Sequence, residues 1–337
     1  MRLRRFAVIL LLGGILAGTA TKARAEADEI RLAKQFSMGY VQFDVLEHRH
    51  LIEKYANAAG LGDIKVVWAT FNGPNMMNDA LLAGSVDIVA GGVPGLVTLW
   101  AKTKGTAEEV RGISALSSQP FLLNTSDPRI RSVRDFRGSD RIALPAIKVS
   151  VQAVTLEMAA AEAFGQSNYA KLDPLTLSLS PPDATTALLA GGAEFSSVFS
   201  VPPFQQEQLR HPGIHTVLSS FDVLGGAHSF TVAWTTRRFH DENPKLYGAL
   251  VAALTEATRI INADKRAAAA LWIEDARSKL PLDMVSQVIA GPQATWTMTP
   301  QQTMKFAQFM QQVGSIKAAP ASWKALFFPE IYNLPGS

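Results

Sequence analysis

The 337-residue sequence contains no cysteine. Disulfide bonds, thiolate zinc sites, iron–sulfur clusters and cysteine nucleophiles are therefore excluded. The fold must be held together by its apolar core alone. The chain is long enough for two domains of ordinary size, and its apolar content of 47% is that of a globular protein.

The sequence also lacks an apolar run long enough to span a membrane. Its most apolar segment, residues 6–16, is shorter than the ~20 residues that a spanning helix needs. Three arginines precede this segment and small residues follow it, which is the pattern of a secretory signal peptide. We expect residues 1–25 to be removed after Ala25 and the protein to be exported to the periplasm. The Arg4-Arg5 pair leaves both the general and the twin-arginine export routes open.

The chain has no excess of positive charge when residues 1–25 are left out of the count. Those residues carry five basic side chains and no acid, which leaves 27 basic against 29 acidic residues and a net charge of about −2. This balance requires no basic face, so no nucleic-acid partner is expected.

Motifs of catalysis are absent as well. The sequence has no G-x-S-x-G nucleophile elbow, and Gly91-Gly92 lacks the lysine that a phosphate-binding loop needs. His48 and His50 would point to different sides of a helix, so they do not form the i, i+4 zinc pair. We therefore expect no enzyme activity, no metal and no cofactor.

Short runs rich in valine and isoleucine alternate with longer segments of helical spacing from residue 29 onward. This alternation is typical of an α/β chain with mostly parallel sheets covered on both faces. In the first part of the chain, strands are predicted at 30–36, 64–69 and 86–90, and helices at 41–59, 75–83 and 94–104.

A second series begins near residue 120 and repeats this order. The segments 75–104 and 182–210 share the sequence of helix, glycine break, strand and proline-started helix, which predicts two similar half-molecules. After the β-rich run 229–234 the chain is almost only helical. In this second series, strands are predicted at 141–144, 175–179, 194–199 and 214–219, and helices at 150–164, 182–189 and 203–210.

Two short segments, 121–123 and 225–234, are predicted to cross between the halves. They make the first lobe discontinuous and hinge the molecule on two strands. We expect lobe 1 to comprise residues 26–118 and 228–337, and lobe 2 to comprise residues 119–227.

Five parts of this series resemble the nitrate, sulfonate and taurine family of periplasmic solute receptors, which includes the NMT1/THI5-like proteins. Their order and spacing cover residues 30 to about 275. Each part also has a purely structural role, such as a helix face closed by a glycine, so the motifs identify the family better than the site. The five parts are residues 67–73, 78–88, 132–138 with 142–145, 182–184 with 187–191, and 202–204.

The resemblance implies a type II periplasmic-binding-protein fold, in which two α/β lobes are joined by two hinge strands and the ligand binds in the cleft between them. It also implies a monomeric receptor of an ABC importer, which captures a small organic anion such as a sulfonate or taurine and delivers it to the membrane permease. Two other functions stay open. One is a secreted enzyme or binding protein of pyrimidine metabolism, whose cysteine-rich segment is absent here, and the other is a periplasmic sensor domain.

Ligands of open α/β sheets bind outside the carboxyl ends of the strands, where helix N-termini offer unpaired N–H groups. Three loops of lobe 1 are predicted at such strand ends. The serine and asparagines in them could bind the solute or cap helices, and the aromatic rings could stack on an organic group or pack at the rim. The candidate contacts in lobe 1 are Ser37, Gly39, Tyr40, Phe71, Asn72, Asn75, Gly92 and Val93.

In lobe 2, the loop before the helix at 150–164 supplies Lys148, Ser150 and Gln152, and Ser200 ends another strand. Lys148 is the single charged contact proposed for an anion, and its alternative is a solvated loop lysine. Gly226 and His228 lie at the return crossing, where a glycine lets a ligand approach the backbone. His228 could donate to an oxyanion or could be a structural hydrogen-bonding group.

Overall fold

Two mixed β-sheets form the frame of the molecule in the computed structural model, which describes residues 25–192 and 194–337. The predicted signal peptide, apart from Ala25, lies outside the described residues. The strands are β1 (Glu29–Lys34), β2 (Lys65–Thr70), β3 (Ile88–Gly92), β4 (Val110–Ser118), β5 (Leu122–Thr125), β6 (Ile142–Leu144), β7 (Thr176–Ser178), β8 (Ser197–Ser200), β9 (His215–Ser219), β10 (Thr231–Thr236) and β11 (Thr295–Trp296).

Helices cover both sheets, and none of those in the described residues is long and apolar enough to cross a membrane. Short 3₁₀ helices lie at Met38–Tyr40, Val133–Asp135, Gln166–Leu175 and Pro329–Ile331. The α-helices are α1 (Val41–His48), α2 (Leu51–Ala58), α3 (Pro74–Leu82), α4 (Val93–Thr103), α5 (Val151–Phe164), α6 (Pro181–Ala190), α7 (Phe204–Leu209), α8 (Ser220–Leu224), α9 (Arg237–Glu242), α10 (Pro244–Ala263), α11 (Lys265–Asp275), α12 (Leu282–Ile289), α13 (Thr303–Gln312) and α14 (Trp323–Leu326).

The two sheets share one topology over five strands, to which the first sheet adds β11, and this confirms the predicted similarity of the half-molecules. The first sheet has the order β11-β4-β10-β3-β1-β2, and the second has the order β7-β6-β8-β5-β9. In the first, β1 runs parallel to β2 and β3, while β10 runs antiparallel to β3 and β4. In the second, β6 runs parallel to β7 and β8, while β5 runs antiparallel to β8 and β9. Each sheet is thus three parallel strands extended by antiparallel ones.

The chain crosses twice between the sheets. It leaves the first sheet at the end of β4 and enters the second at β5, and it returns after α8 to β10. The crossing segments are therefore residues 119–121 and 225–230. We call the part that carries the first sheet lobe 1 and the part that carries the second sheet lobe 2.

The single helix predicted at 41–59 is wrong, because the structure contains two helices there. His50 lies between α1 and α2 with φ 48°, a left-handed conformation that ends the first helix. Residues 47–50 are half-buried or exposed. Interrupting the helix in this stretch therefore removes few apolar contacts. The chain turns there, and Leu51 and Ile52 directly after the turn are buried in the core.

The strand predicted at 30–36 also ends earlier, since the pairing of β1 with β2 stops at Lys34. Gln35 and Phe36 consequently belong to the loop that follows the strand. Above this loop the fully buried ring of Trp234 packs against Gly91, where a Cβ would lie 2.8 Å from the ring and 3.0 Å from Nε2 of Gln35. The missing side chain at Gly91 thus makes room for both groups.

Candidate ligand-binding cleft

The carboxyl ends of the parallel strands in both lobes face one another across a cleft. This is the edge of an open α/β sheet where ligands bind. The loops after β1, β3, β6, β7 and β8 all reach it. The cavity is lined from lobe 1 by Gln35, Phe36, Ser37, Tyr40, Pro74, Gly92, Gly95 and Phe230, and from lobe 2 by Pro145, Val149, Ser150, Val151, Gln152, Pro181 and Val201.

The lobes are in direct contact on either side of this cavity. The Met38 N–H donates to the Pro202 carbonyl over 2.9 Å, and the Ser37 hydroxyl donates to the same oxygen over 3.0 Å. At the start of α4 the contact is tighter, because a Cβ on Gly92 would lie 2.6 Å from Cβ of Val151. The structure therefore represents a closed arrangement of the lobes.

Three polar side chains that line the cavity have no hydrogen-bond partner among the described residues. They are Gln35, Tyr40 and Gln152. Tyr40 is 4% exposed and Gln152 is 3% exposed, and burial raises the pKa of the Tyr40 phenol, which keeps it a donor. Gln35 is half-buried. All three side chains therefore keep hydrogen-bonding groups that are available to a ligand in the cavity.

The two serines of the cavity are already engaged in helix capping. Ser37 accepts from the Gly39 N–H at the start of a 3₁₀ helix. Ser150 accepts from the Ala153 N–H at the start of α5 and donates to the Ala146 carbonyl over 2.7 Å. Their hydroxyls position the loops, because an N-cap fixes where its helix begins.

Prolines remove backbone donors from most of the helix starts around the cleft. Pro74 opens α3, Pro94 is the second residue of α4, and Pro181 and Pro182 open α6. A proline has no N–H to offer. Helix α5 differs, since its first residues Val151 and Gln152 keep N–H groups that no described residue accepts.

Lys148, the expected charged contact, does not line the cavity. It is exposed and has φ 66°, a left-handed conformation that is unusual for a residue other than glycine. Its charge acts instead on Glu157 and Asp173. Burial raises the pKa of Glu157 to about 7, repulsion from Asp173 adds to this, and Lys148 opposes it.

Lys34, at the end of β1, belongs to a buried ion cluster beside the cleft. Its Nζ lies 2.6 Å from Oδ2 of Asp275 and is hydrogen-bonded to Asp44. Burial raises the pKa of Asp44 to about 7, and the charge of Lys34 opposes that rise. This cluster lines a groove that continues from the cleft past Phe36, with Arg277 on its far side.

Nine of the fourteen residues proposed from the sequence lie outside the cavity lining. The five that line it are Ser37, Tyr40, Gly92, Ser150 and Gln152. The nine that do not are Gly39, Phe71, Asn72, Asn75, Val93, Lys148, Ser200, Gly226 and His228.

Several of these nine have structural contacts of their own. The Gly39 carbonyl accepts from the hydroxyls of Ser117 and Thr231, and Ser200 accepts from the amide of Gln208. Val93 is buried in the core and Phe71 packs against it. In this arrangement these contacts stabilise the lobes.

The remaining polar candidates lie at the surface. Asn72 and Asn75 are exposed in an outer groove, where Pro145 and Asp183 of lobe 2 face them. Gly226 has φ 134° and lies near the amide of Gln302, away from the cavity.

His228 has a structural environment at the return crossing. Its Nε2 lies 3.0 Å from the Ser220 hydroxyl, its Nδ1 lies 3.0 Å from the Ser229 carbonyl, and its ring contacts three phenylalanines edge-on. The Ser220 hydroxyl also accepts from the Phe121 N–H of the outgoing crossing. His228 thus ties the two crossing segments together, and burial lowers its pKa to about 4.

Most lining residues that sequence reasoning missed are apolar or belong to a predicted strand. Gln35 and Phe36 were placed inside the first strand, and Phe230 was placed inside the β-rich run. Val201 directly follows β8 and Val149 lies in the loop after β6, but neither carries a polar group. Their position after a strand was the one available signal.

Two α/β lobes, a chain that crosses twice between them and a cleft at their facing strand ends define the architecture of a two-lobed binding-protein fold. The chain belongs to the NMT1-like family, whose model matches residues 23–274. Comparison with curated proteins gives no significant match.

Solved structures with this fold are periplasmic binding proteins, which confirms the predicted fold. The alkanesulfonate-binding protein SsuA from Xanthomonas axonopodis pv. citri, bound to MOPS, is 18% identical over 90% of this chain and 97% of that chain, with a TM-score of 0.68. The aliphatic sulphonate-binding protein SsuA from Escherichia coli is 18% identical over 85% and 90%, with a TM-score of 0.61. The nitrate-binding protein NrtA from Synechocystis PCC 6803 is 14% identical over 89% and 84%, with a TM-score of 0.64.

Proposed function

We propose that this protein is the periplasmic solute receptor of an ABC importer, acting as a monomer that captures a small organic solute and delivers it to a membrane permease. The observation that carries this proposal is the cleft itself. Gln35 and Tyr40 from one lobe and Gln152 from the other are unpartnered and face one cavity. A solute that pairs with all three would join the lobes.

Closure of the lobes is the proposed mechanism of capture. The direct contacts at Pro202 and Gly92 close the cleft to a cavity of about 20 Å³, which is room for about one water molecule, so an organic solute must enter a more open form. The two crossing segments, 119–121 and 225–230, are the natural hinge. The solute favours the closed form because only that form brings contacts from both lobes, and the closed form then docks on the permease.

An organic anion of the sulfonate or taurine type is the solute class that the relatives' names suggest. In this cleft an anion would bind at the start of α5, where the free N–H groups of Val151 and Gln152 and the positive end of the helix meet. The Gln152 side chain would add a donor from the same turn.

We propose no catalytic activity for the protein. Among the described residues that line the cavity there is no carboxylate, histidine, lysine or arginine. General acid–base catalysis needs such a group with a pKa near the working pH, and the raised pKa of Tyr40 moves that phenol further from it. A bound solute should therefore be recovered unchanged.

Calorimetric titration combined with small-angle scattering tests the proposal. The mature chain is titrated with alkanesulfonates, taurine, nitrate, aromatic carboxylates and pyrimidines, and the radius of gyration is measured with and without each binder. We expect saturable binding of an organic solute together with a smaller radius of gyration. Saturable binding without compaction would disprove closure, and conversion of the solute, followed by mass spectrometry, would favour an enzyme.

A further inference from the structure

We infer that the Asn72-Gly73 pair is a site of spontaneous deamidation and that its product hinders closure of the two lobes. The modification itself goes beyond the proposed receptor function and does not depend on it. Its effect on the lobes rests on the closure proposed above. Three observations carry the inference: the sequence of the loop after β2, the freedom of the reacting groups, and the contact of this loop with lobe 2.

The loop after β2 contains the one Asn-Gly pair of the sequence. Deamidation begins when the backbone nitrogen of the following residue attacks the asparagine side chain. Glycine has no Cβ, so it shields this nitrogen least and restricts the backbone least. Every other asparagine of the chain precedes a residue that carries a side chain.

Both reacting groups are free of hydrogen bonds. Asn72 is exposed, and its side chain has no hydrogen-bond partner among the described residues. The Gly73 N–H likewise has no acceptor in that part of the chain. Neither residue belongs to a helix or strand, since β2 ends at Thr70 and α3 begins at Pro74. No hydrogen bond therefore opposes the rotation that brings the Gly73 nitrogen to Cγ of Asn72.

Water is the only other reactant. The Gly73 nitrogen gives up its proton and forms a bond to Cγ of Asn72, the side-chain nitrogen leaves as ammonia, and a cyclic succinimide results. Water then opens one of the two ring carbonyls. One opening gives aspartate, and the other gives isoaspartate, in which the main chain runs through the former side chain and is one carbon longer. Both products carry a carboxylate where Asn72 had a neutral amide.

The modified loop lies directly against lobe 2. A Cβ on Gly73 would lie 3.0 Å from the Pro145 carbonyl oxygen, so the glycine backbone packs on the loop after β6. The extra main-chain carbon of isoaspartate displaces this backbone, because a packed contact does not accommodate added atoms without movement. The new carboxylate also faces Asp183 of lobe 2 in the outer groove, where like charges repel. Closure therefore becomes less favourable after deamidation.

Opening of the lobes exposes the reacting nitrogen. Gly73 is buried in this closed arrangement, with the Pro145 loop over it. Water and base reach the nitrogen when lobe 2 moves away. We therefore expect the reaction to proceed mainly in the open form, and its product to favour that form.

Peptide mapping after storage tests the reaction. The mature wild-type chain is kept at pH 8.5 and 37 °C, and mass spectrometry follows the mass gain that accompanies conversion of an amide to an acid. Asn333 is the internal control, because it is exposed outside any helix or strand but precedes a leucine. We expect Asn72 to deamidate at least tenfold faster than Asn333, and Asn72→Gln to remove most of the product at this position. Equal rates at the two asparagines would overturn the inference.

Spin labels measure the effect on closure. The chain has no cysteine, so Asn57→Cys in lobe 1 and Ser167→Cys in lobe 2, both at exposed positions, give one labelled site in each lobe. Pulsed electron paramagnetic resonance then records the distances between the lobes without a solute. After storage, the labelled wild type should lose its shortest distances, whereas the same labels on Asn72→Gln should keep them. Coincident distances in the two stored proteins would overturn the effect on closure and would leave both the modification site and the receptor function standing.

Discussion

His228 is held neutral inside a cluster of aromatic rings at the hinge. Burial lowers its pKa to about 4, although the hydrogen bond to the Ser229 carbonyl opposes the shift. The unfolded chain has a histidine of ordinary pKa near 6.5. Between these values the unfolded state binds more protons, so the contribution of His228 to stability is complete above pH 6.5 and is lost as the pH falls toward 4.

Replacing His228 by Asn should therefore have a pH-dependent effect on stability. Urea titrations at pH 7.5 and pH 4.5 measure the free energy of unfolding of both proteins. The variant should be less stable at pH 7.5, and its deficit should shrink by about 2–3 kcal/mol at pH 4.5, because the wild type loses the His228 contribution there.

Each measurement must be compared with wild type at the same pH, because Asp44 and Glu157 change the free energy of unfolding with pH in the opposite direction to His228. Burial raises the pKa of each to about 7, so each favours the folded state as the pH falls. The exposed His211→Asn change is the matched control and should give the same deficit at both pH values. If folded His228→Asn bound the solute more than tenfold less tightly, a ligand-binding role would have to replace the structural one.

The hydroxyl of Tyr40 provides a second prediction at this scale. The side chain is buried and its hydroxyl has no partner among the residues that the structure describes, so Tyr40→Phe should leave the free energy of unfolding nearly unchanged. Solute affinity should fall about five- to tenfold, which corresponds to about 1 kcal/mol for one hydrogen bond. Calorimetric titration and urea unfolding measure the two effects.

Tyr332 offers the inverse control for that experiment. Its hydroxyl lies 2.5 Å from the Lys324 carbonyl and 3.0 Å from the Phe327 carbonyl, outside the lining of the cavity. Tyr332→Phe should therefore lower stability and leave the affinity unchanged. The assignment of Tyr40 to the site fails if its phenylalanine variant keeps wild-type affinity.

At the level of helices and strands, much of the fold could be predicted. The spacing of apolar residues, and the glycines and prolines that end an element, determine local structure within a few residues. Helix α5 and strand β9 lie within one residue of their predicted bounds. The break at His50 could not be predicted, because a left-handed backbone conformation in a polar stretch does not change the spacing of the apolar residues.

The candidate site was only partly predictable for a related reason. Ser37, Gly92 and Gln152 were found because loops after parallel strands meet at one edge. That rule predicts where a loop lies but not the direction of its side chains. Lys148 and His228 accordingly lie outside the lining of the cavity. Which residues touch across the cleft depends on closure of the lobes, which no local pattern contains.

The junction of β3 and α4 is where closure is most sensitive to a single side chain. Gly92 has φ −71°, so alanine can adopt its backbone conformation. An added Cβ would nevertheless lie 2.6 Å from Cβ of Val151. Gly92→Ala should therefore lower the affinity at least tenfold and abolish the ligand-induced decrease in the radius of gyration, while the fold remains intact.

Moving the methyl group across the interface tests whether the contact itself is responsible. Val151→Gly removes the opposing Cβ, so the double variant Gly92→Ala/Val151→Gly should recover both affinity and compaction relative to Gly92→Ala. The single Val151→Gly variant completes the cycle, from which the coupling energy of the two positions is obtained. Additive losses would show that Gly92 acts locally and not through closure.

Across the whole molecule, the ion cluster joins parts of the chain that are far apart in sequence. Lys34 ends β1, Asp44 lies on α1, and Asp275 ends α11, 241 residues after Lys34. Lys34 is 8% exposed and Asp44 is 1% exposed. Two hydrogen-bonded carboxyl groups and Glu47, 3.8 Å away, surround one ammonium group and hold α11 against the first strand of lobe 1, next to the groove that continues from the cleft.

Lys34→Met should therefore destabilise the protein in a way that depends on pH. Without the ammonium group, Asp44 and Asp275 lose their shared counter-ion, and only His48, 3.8 Å from Asp275, remains beside them. Breaking a buried ion pair in this way costs about 3–5 kcal/mol. Asp44 already has a pKa of about 7, and loss of Lys34 raises it further. A proton can then relieve the repulsion at low pH, so the deficit in urea titrations should be at least about 1 kcal/mol smaller at pH 5.5 than at pH 8.

The same substitution at an exposed position separates this effect from loss of a lysine in general. Lys65 on β2 pairs with Glu29 at the surface, over 2.7 Å. Exposed pairs contribute little to stability, so Lys65→Met should change it only slightly and equally at both pH values. A Lys34→Met deficit that does not depend on pH would mean that the two aspartates remain ionised and separate after the lysine is removed, and the cluster would then not be a coupled carboxyl pair.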